Sequence, residues 1–276
     1  MTNVNDSGMK RAALINDYSC FGKCSLSVAV PIVSAYGNEA VALPTAILST
    51  HTGGLGNYVL RDMTGEMEDF ARHWKELGIK FDCIYTGFLC SARQIEIAYN
   101  FIRDFANEKT LVIVDPVLGD NGKIYPCFSQ AHIDAMRKLC SLADVITPNV
   151  TEASLLAGKD AKPPANELCR AIHENIKIKN IVVTGVREND KIGYFADFSS
   201  GEMVIMKSFA DVHLHGTGDV FASAFCGELM SGKAMPDALK CAADFCDDCV
   251  KATLKRLPAH WYGLAFEDVL KKQSGK

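Results

Sequence analysis

Short apolar runs alternate with longer amphipathic stretches along nearly the whole chain. The apolar runs are almost continuous in Val, Ile, Leu and Ala, which is typical of strands buried on both faces of a parallel sheet. They cover 11–16, 40–43, 83–87, 111–116, 144–149 and 180–185. Helical patterns cover 23–36, 66–77, 91–106, 129–142, 165–176, 217–231 and 236–255. Such alternation predicts right-handed βαβ units and an α/β fold with helices on both faces of a mostly parallel sheet.

Residues 191–209 depart from this pattern. The segments "KIGYFAD" and "GEMVIMKSF", joined through "FSSG", predict a small antiparallel hairpin at one edge of the sheet. The chain contains no linker rich in Pro, Gly or Ser and no internal repeat, so we expect one three-layer α/β/α domain over 11–276. The polar residues 1–10 are expected to form a flexible N-terminal tail.

Composition narrows the function classes. The chain has 276 residues and a net charge of −4, which gives no electrostatic reason to expect nucleic-acid binding. It has no apolar run long enough to cross a membrane and no signal-peptide core, so a cytoplasmic protein is expected. Its eleven cysteines are therefore expected to be reduced and mostly buried. Cys246 and Cys249 form an isolated C-x-x-C inside a helical pattern, which is weak evidence for zinc.

Polar residues follow several of the predicted strands. Asp17, Asp115, Asn149 and the pair Thr184-Gly185 each stand where a strand ends. Such residues end strands routinely, but ligands of parallel α/β sheets bind at the carboxyl edge, where these four positions would meet. The sequence therefore predicts a ligand site at this edge.

The stretch "HGTGDVFASAF" (215–225) places two glycines and a carboxylate at the start of an apolar helix. Glycines let the backbone approach a ligand, and the unpaired N–H groups of a helix N-terminus favour an anion. Gly216, Thr217 and Gly218 are thus candidates for an anion site. From these residues alone, Thr217 or Asp219 could instead be an ordinary helix N-cap.

Two glycine-rich segments are poor matches to nucleotide motifs. "GELMSGKA" (227–234) has the spacing of a phosphate-binding loop but ends in Ala234 and closes a helix, so Gly232 is interpreted as a helix C-cap. "HTGGLG" (51–56) lacks dinucleotide-binding spacing and is interpreted as a flexible loop near the site.

From about residue 11 to 265 the chain resembles the pyridoxal/pyridoxamine kinases of the ribokinase-like superfamily. The resemblance rests on segments that occur in the family's order: "NDYSCFGKCSLSVAVPIVSAYG", "LPTAILSTHTGGLG", "YTGFLCSARQ", "DPVLGDNGKIYP", "TPNVTEASLL" and "HGTGDVFASAF". It implies a ribokinase-like fold and ATP-dependent phosphorylation of the 5'-hydroxymethyl group of a B6 vitamer (pyridoxal, pyridoxamine or pyridoxine), for salvage of pyridoxal 5'-phosphate. Relatives are commonly homodimers.

The resemblance also implies roles for individual residues. Asp219 would be the general base, and the amides of Gly216, Thr217 and Gly218 would hold the transferring phosphoryl group. The expected contacts to ATP are Asp115, Asn149, Thr184, Gly185, Thr217 and Gly218. Asp115 and Glu152 would organise Mg²⁺, and the family habit adds a monovalent cation such as K⁺. Glu152 could alternatively be an acid favoured by the dipole in a helix first turn.

The remaining implied roles concern the substrate and a flap. The residues expected to line the vitamer pocket are Asp17, Thr45, His51 and Phe88. Asp17 stands where several relatives have a serine, so we expect it to favour charged substrates such as pyridoxamine. "GDNGKIY" (119–125) resembles the family's flap over ATP, with Asp120 and Tyr125 at matching places; an ordinary surface turn is the alternative.

Two other functions remain open at this point. A hydroxymethylpyrimidine kinase of thiamine synthesis would share the fold and mechanism, and "NDYS" resembles the first loop of that branch. A non-catalytic B6-binding protein could also keep the fold. Measuring ATP consumption with and without pyridoxal would separate a kinase from a non-catalytic binding protein.

Overall fold

The computed structural model describes residues 5, 8–159, 163–212 and 214–273. Its centre is a sheet that contains nine strands among these residues, in the order β11-β10-β9-β8-β5-β4-β1-β2-β3. The strands are β1 (Arg11–Ser19), β2 (Glu39–Leu48), β3 (Leu60–Asp62), β4 (Cys83–Thr86), β5 (Leu111–Val114), β8 (Val145–Ile146), β9 (Ile181–Glu188), β10 (Lys191–Phe198) and β11 (Gly201–Ser208). A separate two-stranded ribbon consists of β6 (Gly119–Asp120) and β7 (Lys123–Ile124).

The helices lie on both faces of the sheet. They are α1 (Leu26–Ala35), α2 (Thr64–Glu76), α3 (Ala92–Phe105), α4 (Gln130–Cys140), α5 (Val150–Ala157), α6 (Ala165–Asn175), α7 (Thr217–Met230), α8 (Met235–Leu254) and α9 (Phe266–Gln273). Helices α2 to α6 contribute to one buried apolar cluster, which includes Phe101. Helices α1, α7, α8 and α9 contribute to the other, which includes Phe221. The predicted three-layer arrangement is confirmed.

The sheet is parallel in its middle and antiparallel at both edges. Strands β9, β8, β5, β4, β1 and β2 are parallel to one another. The predicted hairpin over 191–209 is confirmed as β10 and β11, but β9 also pairs antiparallel with β10. At the other edge β3 pairs antiparallel with β2. Strand β3 was not predicted, because its three residues are all exposed and show no apolar alternation.

Two helices were not predicted. Helix α5 has eight residues, six of them buried, so it shows no polar face from which a helical period could be recognised. Helix α9 follows the predicted elements and packs mainly against α8. The helix predicted from residue 23 begins only at Leu26, because residues 20–25 form a loop whose backbone bonds to the 48–49 and 262 segments.

Most of the predicted tail, 1–10, lies outside the described residues, and the single domain over 11–276 stays a prediction. Asn5 accepts a hydrogen bond from the Lys80 amide at 3.0 Å. Gly232 follows the end of α7 with φ +89°, as its interpretation as a C-cap requires. In the described part of the chain, no helix is both long and apolar enough to cross a membrane.

Candidate active site

The first-turn amides of helix α7 have no side-chain cap. Its N-cap is Gly216, which has a positive φ of +79° and no side chain with which to cap the helix. Thr217 is the first helical residue and Asp219 the third, so the N-cap interpretation of these two residues is wrong. The helix therefore offers first-turn N–H groups to an anion.

The Asp219 carboxylate lies beside loop 20–25 and the end of β1. The backbone amide of Ser25 and the side chain of Asn16 lie close enough to the carboxylate to favour its ionised form. Burial raises the pKa of Asp219 to about 7; these two polar groups oppose this rise and the charge of Asp17 adds to it. A carboxylate with a pKa near neutrality can both take and release a proton, which suits a general base.

Asn16 is a residue that sequence reasoning missed. Its side-chain oxygen accepts the amides of Asp17 at 2.9 Å and of Phe88 at 2.8 Å. A Cβ on Gly87 would collide with this side chain, so the glycine makes room for it. The only signal in the sequence was a polar residue at the last position of the predicted strand 11–16. Asn16 thus holds together three segments that meet at Asp219.

Three carboxylates lie at neighbouring strand and helix ends. Burial raises the pKa of Asp115 to about 8, the charge of Asp219 adds to the rise, and the nearby Thr147 side chain opposes it. Burial and the charge of Asp115 raise the pKa of Glu152 well above its usual value. Asp115 therefore lies within electrostatic reach of both other acids, at the carboxyl edge that the sequence predicted.

Glu152 and Asn149 form a capping box at the start of α5. Glu152 accepts the amides of Asn149 at 2.8 Å and Leu118 at 3.2 Å, and Asn149 accepts the Glu152 amide at 2.9 Å. Asn149 also donates to the carbonyl of Gly119 at 2.9 Å. Glu152 therefore does lie in the first turn of a helix, as its alternative interpretation requires. It does not exclude a metal role, because the carboxylate also faces Asp115.

This donor set fits a hard divalent cation. Asp115 and Glu152 offer oxygen ligands, and their negative charges oppose each other's ionisation, a penalty that a cation would relieve. Among the described residues no cluster of three His, Cys, Asp or Glu could hold a metal by itself. Mg²⁺, which keeps several waters and often binds through one or two carboxylates and substrate phosphates, suits such a sparse site.

The other predicted nucleotide contacts lie on β9. The Thr184 amide donates to the carbonyl of Pro148 at 2.8 Å, which places β9 beside the start of α5. Gly185 has φ +71° and forms a bulge opposite β10. A Cβ on Gly185 would meet no heavy atom within 4 Å, so the backbone is open on that side. The structure thus brings Thr184 and Gly185 next to Asn149.

The residues predicted to contact the vitamer mostly bind other groups of the protein. Thr45 is fully buried and its hydroxyl donates to the carbonyl of Phe88 at 2.9 Å. Phe88 is partly buried, with its ring 5.8 Å from that of Phe128. The Asp17 carboxylate accepts from Ser25 at 2.5 Å and from Ser19 at 3.2 Å. Whether these residues also touch a substrate stays a prediction.

His51 is neutral and held at both ring nitrogens. Its Nδ1 accepts the amide of Gly53 at 3.0 Å, so the proton is on Nε2, which donates to the carbonyl of Tyr262 at 3.1 Å. Burial lowers the pKa of His51, and the bond to Tyr262 opposes this. Its ring lies 4.8 Å from that of His215, to which the sequence analysis gave no role. His51 therefore ties the glycine-rich loop 51–56 to the segment around Tyr262.

The ribbon of β6 and β7 packs against the start of α5. Asn121 and Gly122 have φ values of +51° and +79°, which form the two-residue turn that the sequence predicted. The Gly122 amide donates to the Thr151 hydroxyl of α5 at 2.8 Å. Burial and then the charge of Glu152 raise the pKa of Tyr125, whereas Asp120 is exposed and accepts the Asn121 amide at 2.7 Å. The ribbon is thus anchored on α5, and its role as a flap over ATP stays a prediction.

The fold and these side chains define a phosphotransferase of the ribokinase-like superfamily. The model of the phosphomethylpyrimidine kinase family matches residues 33–261, and the chain belongs to that family.

Three known proteins illustrate the similarity. A Bacteroides thetaiotaomicron protein assigned as a phosphomethylpyrimidine kinase, in a crystal with pyridoxal, is 35% identical with a TM-score of 0.89, covering 96% of this chain and 95% of that one. Pyridoxal kinase from Lactobacillus plantarum is 30% identical with a TM-score of 0.89, covering 95% and 96%. A hydroxymethylpyrimidine/phosphomethylpyrimidine kinase of Haemophilus influenzae is 30% identical over 219 residues, which are 76% of this chain and 78% of that one.

Proposed function

We propose that the protein transfers the γ-phosphoryl group of ATP to the 5'-hydroxymethyl group of a B6 vitamer. The observation that carries the proposal is the start of α7, where uncapped first-turn amides stand beside an Asp219 carboxylate whose pKa is about 7. Phosphoryl transfer needs mainly positioning and stabilisation of charge, and this arrangement supplies both.

The chain's own residues divide the work at this helix terminus. Asp219 takes the proton from the substrate hydroxyl as its oxygen attacks. The amides of Gly216, Thr217 and Gly218 hold the negative charge that spreads over the equatorial oxygens of the phosphoryl group. The ribbon with Asp120 and Tyr125 closes over the phosphates and excludes water, which would otherwise compete as the acceptor.

ATP lies over the ends of the parallel strands in this proposal, near Asn149, Thr184 and Gly185. Asp115 and Glu152 would hold Mg²⁺, in part through water. When bound, the ion supplies charge neutralisation between the phosphate oxygens. A monovalent cation such as K⁺ near the α7 amides is a further part of the proposal, supported by the family resemblance.

A B6 vitamer is the favoured acceptor because the Bacteroides relative, 35% identical, was crystallised with pyridoxal. The second candidate is hydroxymethylpyrimidine, which the family model and the Haemophilus relative support. We place Asp17, Thr45, His51 and Phe88 around the substrate ring. Thr45 and His51 shape the pocket through the backbone groups that they bind.

We also propose a homodimer in a reducing cytoplasm. All eleven cysteines are free thiols, which supports the compartment. Large apolar side chains are exposed around the β3 edge of the sheet, and they support a covered interface there. They are Tyr18, Phe21, Ile47, Tyr58, Val59 and Leu60. Light scattering of the parent and of Val59→Lys tests the dimer; a monomeric parent would overturn it.

A substrate panel tests the function. Purified protein with Mg-ATP is given pyridoxal, pyridoxamine, pyridoxine, hydroxymethylpyrimidine or no acceptor, and both ADP and the phosphorylated product are measured. We expect product from at least one vitamer at a higher kcat/KM than from hydroxymethylpyrimidine. A preference for hydroxymethylpyrimidine would support the second candidate. Vitamer binding without any ADP formation would identify a non-catalytic binding protein.

A further inference from the structure

Ser25, the N-cap of α1, has a backbone conformation that side chains rarely adopt. Its φ is +58° and its ψ is −132°. Among the described residues other than glycine, only Asn121 and Asn189 also have a positive φ, and both lie in two-residue turns between paired strands. Asparagine tolerates such angles, whereas serine does so less readily. Strain of this kind persists only where the surrounding structure imposes it.

The Ser25 side chain is hydrogen-bonded to the Asp17 carboxylate. The Ser25 hydroxyl donates to one oxygen of the Asp17 carboxylate at 2.5 Å, and both residues are buried, with 7% and 5% of their surface exposed. A hydrogen bond to a buried carboxylate is among the strong ones. The Ser19 hydroxyl donates to the other oxygen at 3.2 Å, which fixes the carboxylate itself.

The strained conformation directs the Ser25 amide at the candidate base. That amide lies close enough to the Asp219 carboxylate to favour its ionised form. The same loop packs against the start of α7, since a Cβ on Gly216 would collide with the carbonyl oxygen of Lys23. Loop 20–25 thus provides the Lys23 carbonyl that packs against Gly216 and the Ser25 amide that lies near Asp219.

We propose that Asp17 is a positioning residue for phosphoryl transfer, acting through Ser25 to keep the Ser25 amide on the Asp219 carboxylate. The inference rests on the proposed function in so far as Asp219 is the base. It differs from the expectation that Asp17 selects charged vitamers by touching them, because a role through Ser25 requires no contact with the substrate.

The proposal has a consequence that a direct substrate contact lacks. Glycine adopts positive φ without an anchor, so Ser25→Gly keeps the amide in place even when Asp17 is absent. Alanine at position 25 would carry the same strain as serine and lose the anchor. The cost of removing Asp17 should therefore depend on which residue occupies position 25.

A double-mutant cycle tests this dependence with Asp17→Ala in the parent and in the Ser25→Gly background. We measure kcat and KM for MgATP and the best acceptor at pH 9, well above the pKa of Asp219. In the parent background we expect kcat to fall at least about tenfold with KM within about threefold, because a misplaced group near the reacting atoms costs rate more than binding. In the Ser25→Gly background the fall should be less than about threefold, a coupling typical of residues in contact.

Two further variants sharpen the result. Ser25→Ala should lower kcat more than Ser25→Gly does. Ser19→Ala, which removes the other hydrogen bond to Asp17 and leaves the anchor, should cost less than Asp17→Ala. Equal losses in the two backgrounds would overturn the proposal. A changed kcat/KM ratio between pyridoxamine and pyridoxal in Asp17→Ala, with no coupling to Ser25, would show that Asp17 touches the substrate instead.

A structural readout keeps the inference separate from the proposed function. If the parent phosphorylates none of the acceptors, the proposed function fails, and crystal structures of Asp17→Ala and Asp17→Ala/Ser25→Gly still decide the anchoring. We expect the Ser25 amide to turn away from Asp219 in the first variant and to stay on it in the second. An unmoved amide in Asp17→Ala would overturn the anchoring.

Discussion

The α-carbon of Gly216 faces the carbonyl oxygen of Lys23 so closely that a Cβ on Gly216 could not fit between them. Gly216 also has φ +79°, so two independent constraints favour glycine at this position. Through this contact the first turn of α7 and loop 20–25 form one packed unit around Asp219.

Gly216→Ala should therefore destabilise the protein and the anion site together. We expect a loss of about 1–3 kcal/mol, from strain at a positive φ and displacement of the Lys23 backbone. Gly218→Ala is the matched control, because a Cβ there meets no heavy atom within 4 Å and its φ is ordinary. Thermal unfolding of both variants without ligand measures the difference. Equal midpoints would contradict the packing argument.

Asp219→Asn tests the assignment of the base. The amide keeps the size of the side chain, and Asn can still accept the Ser25 amide, so the fold should survive. Removing the proton acceptor should lower kcat at least about a hundredfold, within the usual range for general-base catalysis. MgATP and pyridoxal should bind within several-fold of the parent, as calorimetry would measure. Near-native turnover would rule out Asp219 as the base.

The pH dependence of kcat/KM should show the same group in the free enzyme. Asp219 accepts a proton only when ionised, and its pKa is about 7, so the rate should rise as the pH increases through 7 and level off above it. The negative charge of Asp17 contributes to the raised pKa of Asp219, so Asp17→Asn should move this inflection to lower pH. An inflection near pH 4 in the parent would contradict the raised pKa of Asp219.

Glu152→Gln should affect both stability and metal use. A glutamine has one acceptor oxygen, so it cannot accept the amides of both Leu118 and Asn149 as the carboxylate does. The unpaired amide should cost about 1–3 kcal/mol in thermal or denaturant unfolding. Loss of the charge should also raise the Mg²⁺ concentration needed for half-maximal activity, with vitamer affinity little changed.

Glu167→Gln is the control for that experiment, because Glu167 is likewise an acid in a helix first turn but is exposed. It should leave both the unfolding curve and the magnesium titration almost unchanged. If Glu152→Gln gave the same unaltered magnesium curve, Glu152 would be only a helix-capping residue.

Hydrophobic periodicity was sufficient to predict the layers of this fold and the hairpin at one edge, but not strand β3 or helix α5. The runs 83–87 and 111–116 are buried on both faces, so their composition alone reports their place in the sheet. Strand β3 and helix α5 lack that signal for opposite reasons, since β3 is exposed on all sides and α5 is buried on nearly all sides. A periodic pattern arises only when one face of an element is buried and the other is exposed. Strand β3 and helix α5 do not have two such faces.

The candidate site likewise has a part that the sequence determined and a part that only the tertiary structure decided. The sequence by itself determined the helix terminus at 216–219, because glycines and an acid before an apolar run constrain the local backbone whatever surrounds them. It also placed Asp115 and Asn149 at one sheet edge, because parallel strands share their direction. Only the tertiary structure decided that Gly216 is the N-cap and that Ser25 is strained. Asp17, Ser25 and Asp219 meet only when β1, loop 20–25 and α7 pack together, and contacts between such distant segments leave no periodic trace in the sequence.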